Sequence, residues 1–76
     1  MSDNSQPPIY RIVEVTGTST ESVSDAVANA VARASKTLRN IEWFNVEDIR
    51  GRVGADGTIA SFQVTSKIGF RLEDTE

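Results

Sequence analysis

The chain contains no cysteine and no histidine. Without cysteine it forms no disulfide and offers no thiolate ligand to a metal ion. Without histidine it lacks the usual general base of Ser-His-Asp and Cys-His enzymes and the commonest side-chain ligand of transition metals. The composition therefore argues against these enzyme classes, and we predict neither catalytic residues nor a metal site.

The sequence also lacks a basic excess and a long apolar run. Eight lysines and arginines stand against eleven acidic residues, a formal net charge of −3, whereas nucleic-acid binders usually present a positive surface. No stretch approaches the roughly 20 apolar residues of a membrane span, and residues 1–8 lack the basic and apolar regions of a signal peptide. We therefore expect no nucleic-acid or membrane partner and a cytoplasmic location.

A chain of 76 residues is short for a stable hydrophobic core. A domain near this size buries only about 60% of the surface that its unfolded chain exposes, which leaves a narrow margin of stability. Such domains usually gain stability from disulfides, metal ions or association with other subunits. Because the composition leaves only association, we expect an oligomer.

The chain divides into a tail and one domain. Residues 1–8 are polar and end in two prolines, which predicts a disordered tail. We assign residues 9–74 to a single domain and residues 75–76 to a frayed C-terminus. The domain opens with IYRIVEVT, residues 9–16, in which β-branched residues predominate, so we predict a first strand there.

Apolar residues then recur at helical spacing over residues 23–39, which predicts one amphipathic helix. Ser22 is a suitable N-cap, and Asp25 stands where the carboxylate of a capping box reaches back to the first turn. Asn40 is a suitable residue at which the helix ends.

Two further strands complete the domain. Residues 41–53 alternate between apolar and polar side chains, but the alternation slips, which predicts a β-bulge near residues 47–48. Residues 54–57 read GADG, a hairpin-turn signal, and residues 58–72 alternate again. The predicted fold is α+β, in the order β-α-β-β, with a three-stranded antiparallel sheet packed on one amphipathic helix.

The alternation places the only tryptophan, Trp43, on the sheet face opposite the helix, together with Gln63, Arg50 and Arg71. One helix covers only one face, and an exposed tryptophan is expected to meet another subunit, a ligand or both. The amide of Gln63 suits the edge of a pyrimidine or flavin ring, and the two arginines suit a phosphate. Contacts between subunits also account for all four residues, and for each arginine taken alone a salt bridge to a neighbouring subunit is favoured over a ligand contact. The residues alone therefore leave both interpretations open.

Several segments together resemble the dodecin family of small flavin-binding proteins. The resemblance extends over residues 9–74 and rests on the order and separation of six segments: VTGTS at 15–19, ASKTLRN at 34–40, EWF at 42–44, IRGR at 49–52, FQV at 62–64 and KIGFRLED at 67–74.

This resemblance implies a hollow homododecamer that holds flavins as stacked pairs between tryptophans of different subunits. Trp43 then matches the stacking tryptophan and Gln63 the glutamine at the ring edge, while Arg50 and Arg71 match positions that contact the flavin phosphate or a neighbouring subunit. Both arginines favour FMN over riboflavin and indicate a bacterial type; riboflavin and FAD are the alternative flavins. The implied function is storage and buffering of flavin with its photochemistry quenched, which is not catalysis.

Some bacterial dodecins also bind coenzyme A on the outer surface. The positions in this chain that match that surface are Arg11, Arg33, Thr37 and Arg39. The alternative to flavin storage is a structural or coenzyme A-binding oligomeric module with no flavin function.

Overall fold

The computed structural model describes residues 7–73. Its elements follow the predicted order: β1 (Tyr10–Ser19), α1 (Val23–Ala34), β2 (Ile41–Val53) and β3 (Ile59–Arg71). The strands form one antiparallel sheet in the spatial order β1-β3-β2, with β3 at the centre. The predicted fold class is confirmed. The predictions for residues 1–6 and 74–76 lie outside the described residues.

The first strand is longer than predicted, because it continues past residue 16 to Ser19. In this extension Gly17 pairs with Val64 and lies directly beneath the helix. A Cβ atom at Gly17 would overlap the carbonyl oxygen of Ala26 and crowd the side chain of Ala30. The strand therefore needs glycine here, since only its bare backbone lets the alanine-rich face of the helix approach so closely.

The N-terminus of α1 is capped as predicted, with one difference in the capping box. The backbone amide of Asp25 donates to Oγ of Ser22 over 3.0 Å, which satisfies one of the first amides of the helix. The carboxylate of Asp25 accepts instead from Oγ of Ser19 at 2.7 Å. Ser19, buried at the end of β1, thus joins the strand to the helix that follows.

The helix ends earlier than predicted. It stops at Ala34 with Ser35 as its C-cap, and the amides of Lys36 and Thr37 donate three residues back, to Arg33 and Ala34. These tighter turns replace the expected helix to residue 39, because Ser35 and Thr37 turn their hydroxyls onto backbone carbonyls of the last turn. Asn40 then adopts a left-handed conformation with φ 65°, which redirects the chain into β2.

The second strand and the hairpin turn agree closely with the sequence. The bounds of β2 are those predicted, and its register on β3 shifts between Val46 and Asp48, which confirms the predicted bulge. The turn closes with a 2.7 Å hydrogen bond from the amide of Gly54 to the carbonyl of Thr58. Gly57 has φ 84°, a conformation that favours glycine.

The core lies between α1 and the neighbouring face of β1 and β3. Its fully enclosed members are Ala26, Val64, Ser66 and Ile68, with Ala30 and Ala34 nearly so. The helix contacts β2 only slightly. On that strand Phe44, Val46 and Ile49, which pair with the core residues of β3, remain 37–56% exposed. We call these three residues the uncovered strip.

The long β2–β3 hairpin gives the chain an extended outline of 63 × 20 × 14 Å. Its radius of gyration is 16.5 Å, against the about 11 Å expected for a compact domain of this length. An elongated chain with a small core and an uncovered strip has the form of a subunit that associates with others.

Candidate functional site

The candidate site lies on the sheet face turned away from α1, which we call the open face. Strand register places Trp43 opposite Gly69 and Arg50 opposite Gln63, and alternation puts Arg71 on the same side as Gly69. The four predicted flavin residues therefore share the open face, as the alternation predicts. They divide into two groups along the strands, a tryptophan end with Trp43 and Arg71 and a glutamine end with Gln63 and Arg50.

At the tryptophan end, the indole of Trp43 lies over Gly69. The three indole atoms nearest to an added Cβ at Gly69 all belong to the benzene ring, and that Cβ would overlap them. The glycine thus forms a floor on which one face of the ring rests. Trp43 is 38% exposed, so its indole offers an aromatic surface on the open face.

The carboxylate of Glu42 links two other side chains of the tryptophan end. The hydroxyl of Tyr10 donates to Oε1 of Glu42 over 2.8 Å, and Nε of Arg71 lies 3.7 Å from Oε2 of the same residue. The ring of Tyr10 faces that of Trp43 with centroids 6.2 Å apart and a tilt of 58°. The hydrogen bond to Glu42 is the main cause that raises the pKa of Tyr10 above its ordinary value.

A second register shift, between Ile41 and Trp43, explains how Glu42 reaches this cluster. The extra residue in β2 is Glu42 itself, whose side chain is thereby available to Tyr10 on the far strand. Tyr10 and Trp43 stand on strands separated by β3, and their rings meet because Gly69, which has no side chain, lets the indole lie over the central strand.

At the glutamine end, Gln63 on the central strand lies between Thr18 of β1 and Arg50 of β2. Gln63 is half-buried, and Arg50 is exposed. Nε of Arg50 is 3.8 Å from a carboxylate oxygen of Asp48. This pair is long and solvent-exposed, so it contributes little to stability and leaves the guanidinium available for an anion.

The two ends are too far apart to form one site within one chain. Gln63 and Gly69 are six residues apart on β3, a separation of about 20 Å at the rise of an antiparallel strand. A ligand that contacts both Trp43 and Gln63 must therefore take them from different subunits.

The predicted coenzyme A residues lie on the opposite side of the sheet. A groove of about 750 Å³ runs between α1 and β1, and its lining includes Arg33, Thr37, Val13 and Val15. Arg11 and Arg39 do not line it. They flank it, because Arg11 precedes Val13 by two residues on the same face, and Arg39 follows the lining residue Leu38. Arg39 also pairs with Glu73 at 2.9 Å.

Residues 7–73 hold no cluster of three or more histidine, cysteine, aspartate or glutamate side chains arranged to bind a metal ion. The helix in this part of the chain is neither long nor apolar enough to cross a membrane.

Comparison with known proteins assigns the family. The Dodecin family profile matches residues 9–73. The chain belongs to the dodecin family. The dodecin of Thermus thermophilus is 48% identical over 67 residues, which cover 88% of this chain and 96% of the relative.

Solved dodecin structures share the fold over nearly the whole chain. The dodecin from Streptomyces davaonensis superposes with a TM-score of 0.85 at 46% identity, covering 91% of this chain and all of the other. The dodecin from Streptomyces coelicolor gives a TM-score of 0.83 at 51% identity, covering 90% and 96%. The dodecin fold is thus preserved over the part of the chain that these superpositions cover.

The sequence interpretation missed three residues of this dodecin's tryptophan end: Tyr10, Glu42 and Gly69. Gly69 carried a usable signal, since a glycine inside a strand often marks a close approach of another group. Tyr10 falls on the same face as Trp43 by alternation, but contact across an intervening strand needs the glycine between them. Glu42 could not be found, because its position depends on a bulge that the sequence pattern does not reveal.

We predict that Gly69→Ala displaces the indole of Trp43, because the added methyl group overlaps the ring. In ligand-free protein the near-ultraviolet circular dichroism and the emission maximum of the single tryptophan should both change. Ser61→Ala, on the same strand and face but at the glutamine end, is the control and should change neither. Identical tryptophan spectra for Gly69→Ala and the parent would contradict this packing.

We predict that the single tyrosine titrates above its ordinary pKa of about 10, because ionisation breaks the bond to Glu42 and sets two negative charges side by side. Glu42→Gln should lower the midpoint in an ultraviolet titration, whereas Glu14→Gln should not. Because the pKa of Tyr10 is raised in the folded state, its hydrogen bond to Glu42 contributes to the free energy of unfolding. That contribution is fully present below the pKa of tyrosine in the unfolded chain and is lost as the pH rises through the pKa in the folded state. A midpoint unmoved by Glu42→Gln would argue against the contact.

Proposed function

We propose that this dodecin stores and buffers flavin, with FMN as the preferred form and riboflavin or FAD as alternatives, and suppresses its photochemistry without catalysing a net reaction. The observation that carries the proposal is the indole of Trp43, which rests with one face on Gly69 and is partly exposed on the open face. An aromatic platform of this kind suits a flat ring, and stacking on such a ring contributes about 1–3 kcal/mol.

The chain's own residues account for the quenching. A bound flavin supplies a ring that absorbs light and accepts an electron when excited. The indole of Trp43, in contact with that ring, donates the electron and takes it back, so the absorbed energy is lost without emission. The same contact excludes a substrate from the stacked face of the ring, which favours storage over an enzyme that uses flavin as a redox cofactor.

Binding at this surface requires assembly, since Trp43 and Gln63 are about 20 Å apart in one chain. We propose that Gln63 of a neighbouring subunit hydrogen-bonds the ring edge, in the homododecamer implied by the family. The uncovered strip supplies the apolar surface that such assembly would bury. A purely structural oligomer would use the same strip but would leave the platform of Trp43 without a ligand.

The arginines support a phosphorylated flavin. Arg71 and Arg50 lie within 4 Å of Glu42 and Asp48, but both pairs are more than 3.5 Å long and solvent-exposed. Each guanidinium can therefore turn to a phosphate, with which it forms stronger bidentate hydrogen bonds. FMN carries that phosphate and riboflavin does not.

We propose a second ligand site for coenzyme A in the groove between α1 and β1. The groove combines an apolar floor that includes Val13 and Val15 with Arg33 and Thr37 at its wall. Arg11 and Arg39 flank it, although the guanidinium of Arg39 is paired with Glu73 at 2.9 Å. An apolar channel bordered by positive charge suits a ligand that has both a pantetheine arm and phosphates.

Replacement of Trp43 tests the flavin proposal. Stripped wild-type protein should bind FMN with saturable quenching that approaches one FMN per subunit. Trp43→Ala should weaken binding more than tenfold, about 1.4 kcal/mol, because it removes the platform. Trp43→Phe keeps a ring that is much harder to oxidise, so it should bind better than the alanine variant yet restore emission. Glu14→Gln, on the open face between the two ends, is the control.

Unchanged FMN affinity in Trp43→Ala, or full quenching in Trp43→Phe, would remove the role of the indole. If micromolar wild-type protein leaves the fluorescence of FMN unchanged, only the structural interpretation remains. Steady-state turnover of NADH with an acceptor by the loaded protein would instead support an enzyme.

Calorimetric titration tests the coenzyme A site. Arg33→Ala should lower the affinity for coenzyme A at least tenfold, because a charge-assisted hydrogen bond contributes about 1.5–3 kcal/mol. Lys36→Ala, at the same end of the helix but outside the groove lining, should have little effect. Pantetheine, which lacks the phosphates, should bind more weakly than coenzyme A. Equal binding of the two compounds would contradict phosphate recognition by these arginines.

A further inference from the structure

The tryptophan end contains a second oxidisable ring. The chain has one tyrosine and one tryptophan, and the structure brings these two together: the rings of Tyr10 and Trp43 have centroids 6.2 Å apart. Their contact across β3 depends on Gly69, where any side chain would overlap the indole and displace it. A separation this short allows an electron to pass directly from one ring to the other.

The hydroxyl of Tyr10 also lies next to a proton acceptor. It donates a 2.8 Å hydrogen bond to Oε1 of Glu42. A phenol with its ordinary pKa of about 10 is already protonated at neutral pH, and this bond raises the pKa of Tyr10 further. A phenol is hard to oxidise while it keeps its proton, because the oxidised cation is a very strong acid. A carboxylate already bonded to the hydroxyl removes that obstacle.

We propose that Tyr10 is an electron donor that restores Trp43 after the indole has been oxidised, with Glu42 as the proton acceptor. The step rests on the proposed function, in which photoexcited flavin is the oxidant of Trp43. One electron moves from Tyr10 to the indole radical cation, and the phenolic proton moves to Oε1 of Glu42. The products are neutral Trp43, a tyrosyl radical and a protonated Glu42, so charge and atoms balance.

This relay protects the residue on which binding depends. When the electron returns to Trp43 rapidly, no radical remains. When the return is slow, the indole radical persists and can be oxidised irreversibly. Transfer from Tyr10 moves the radical off the platform. When the electron that left Trp43 returns to the tyrosyl oxygen and Glu42 gives back the proton, the cycle closes without net reaction.

Pulse radiolysis of flavin-free protein tests the relay. Azide radicals oxidise indole in preference to phenol, so the absorption of the Trp43 radical should form first in wild-type protein at neutral pH and low buffer concentration. It should then convert to the absorption of a tyrosyl radical, at a rate independent of protein concentration. The single residue of each type makes both bands unambiguous.

Two variants separate the relay from a structural hydrogen bond. Tyr10→Phe keeps a ring beside Trp43 but should abolish the conversion. Glu42→Gln retains a hydrogen-bond acceptor but is a far weaker base, and should slow the conversion at least tenfold, whereas Glu14→Gln should leave the rate unchanged. Circular dichroism and particle size confirm that each variant is folded and assembled.

Equal decay of the indole radical in wild-type protein and Tyr10→Phe would overturn the relay, as would an unchanged rate in Glu42→Gln. Because no flavin is present, the result does not depend on flavin binding. Conversion in a protein that fails to bind FMN would keep the electron transfer while removing the proposed storage function. If the protein binds and quenches FMN but the indole radical does not convert to a tyrosyl radical, the storage function stands and the relay is removed.

Discussion

The lengths of the helix and the strands set the constraint on which the rest of the structure depends. Twelve residues of α-helix rise about 18 Å, whereas thirteen residues of an antiparallel strand extend about 44 Å. The helix can cover less than half the length of the hairpin, and it lies over β1 and β3. Phe44, Val46 and Ile49 remain 37–56% exposed. Full burial of such a side chain is worth about 1.5–3 kcal/mol, so roughly half of that amount is still to be gained at each position. A small domain cannot easily forgo that amount, which makes association the natural way to complete the core.

The same length separates the side chains of the candidate site. Strand alternation brings Trp43 and Gln63 to one face, but the hairpin holds them at opposite ends. Within the tryptophan end, by contrast, the contacts are close: Gly69 beneath the indole, Tyr10 at its side and Glu42 bonded to the tyrosine. One subunit therefore carries a finished aromatic platform and a distant hydrogen-bonding group, and neither is a complete site alone.

The fold was largely predictable from the sequence, because β2, its bulge and the hairpin turn depend on local alternation and on the Asp56-Gly57 pair. The helix end was not, since the hydroxyls of Ser35 and Thr37 outcompete a continuing apolar pattern. For the site, alternation gave the face of each residue but not its neighbours. The contact of Tyr10 with Trp43 depends on a glycine in the intervening strand and on a bulge at Glu42, and neither follows from periodicity. The roles of Gln63 and the arginines came from the resemblance to dodecins, since the pattern alone fits a subunit interface equally well.

If the ligand is held between subunits, its affinity and the stability of the assembly are linked. A ligand that binds only the assembled state stabilises that state by mass action, and dissociation of the subunits would separate Trp43 from its distant partner and release the ligand. The open platform has a cost in the ligand-free protein, because a partly exposed indole is apolar surface in water. Replacing the water on that surface with a flat ring therefore favours both binding and assembly. In a chain without disulfides or histidine, the proposed function would let one aromatic contact connect ligand binding to the stability of the assembly.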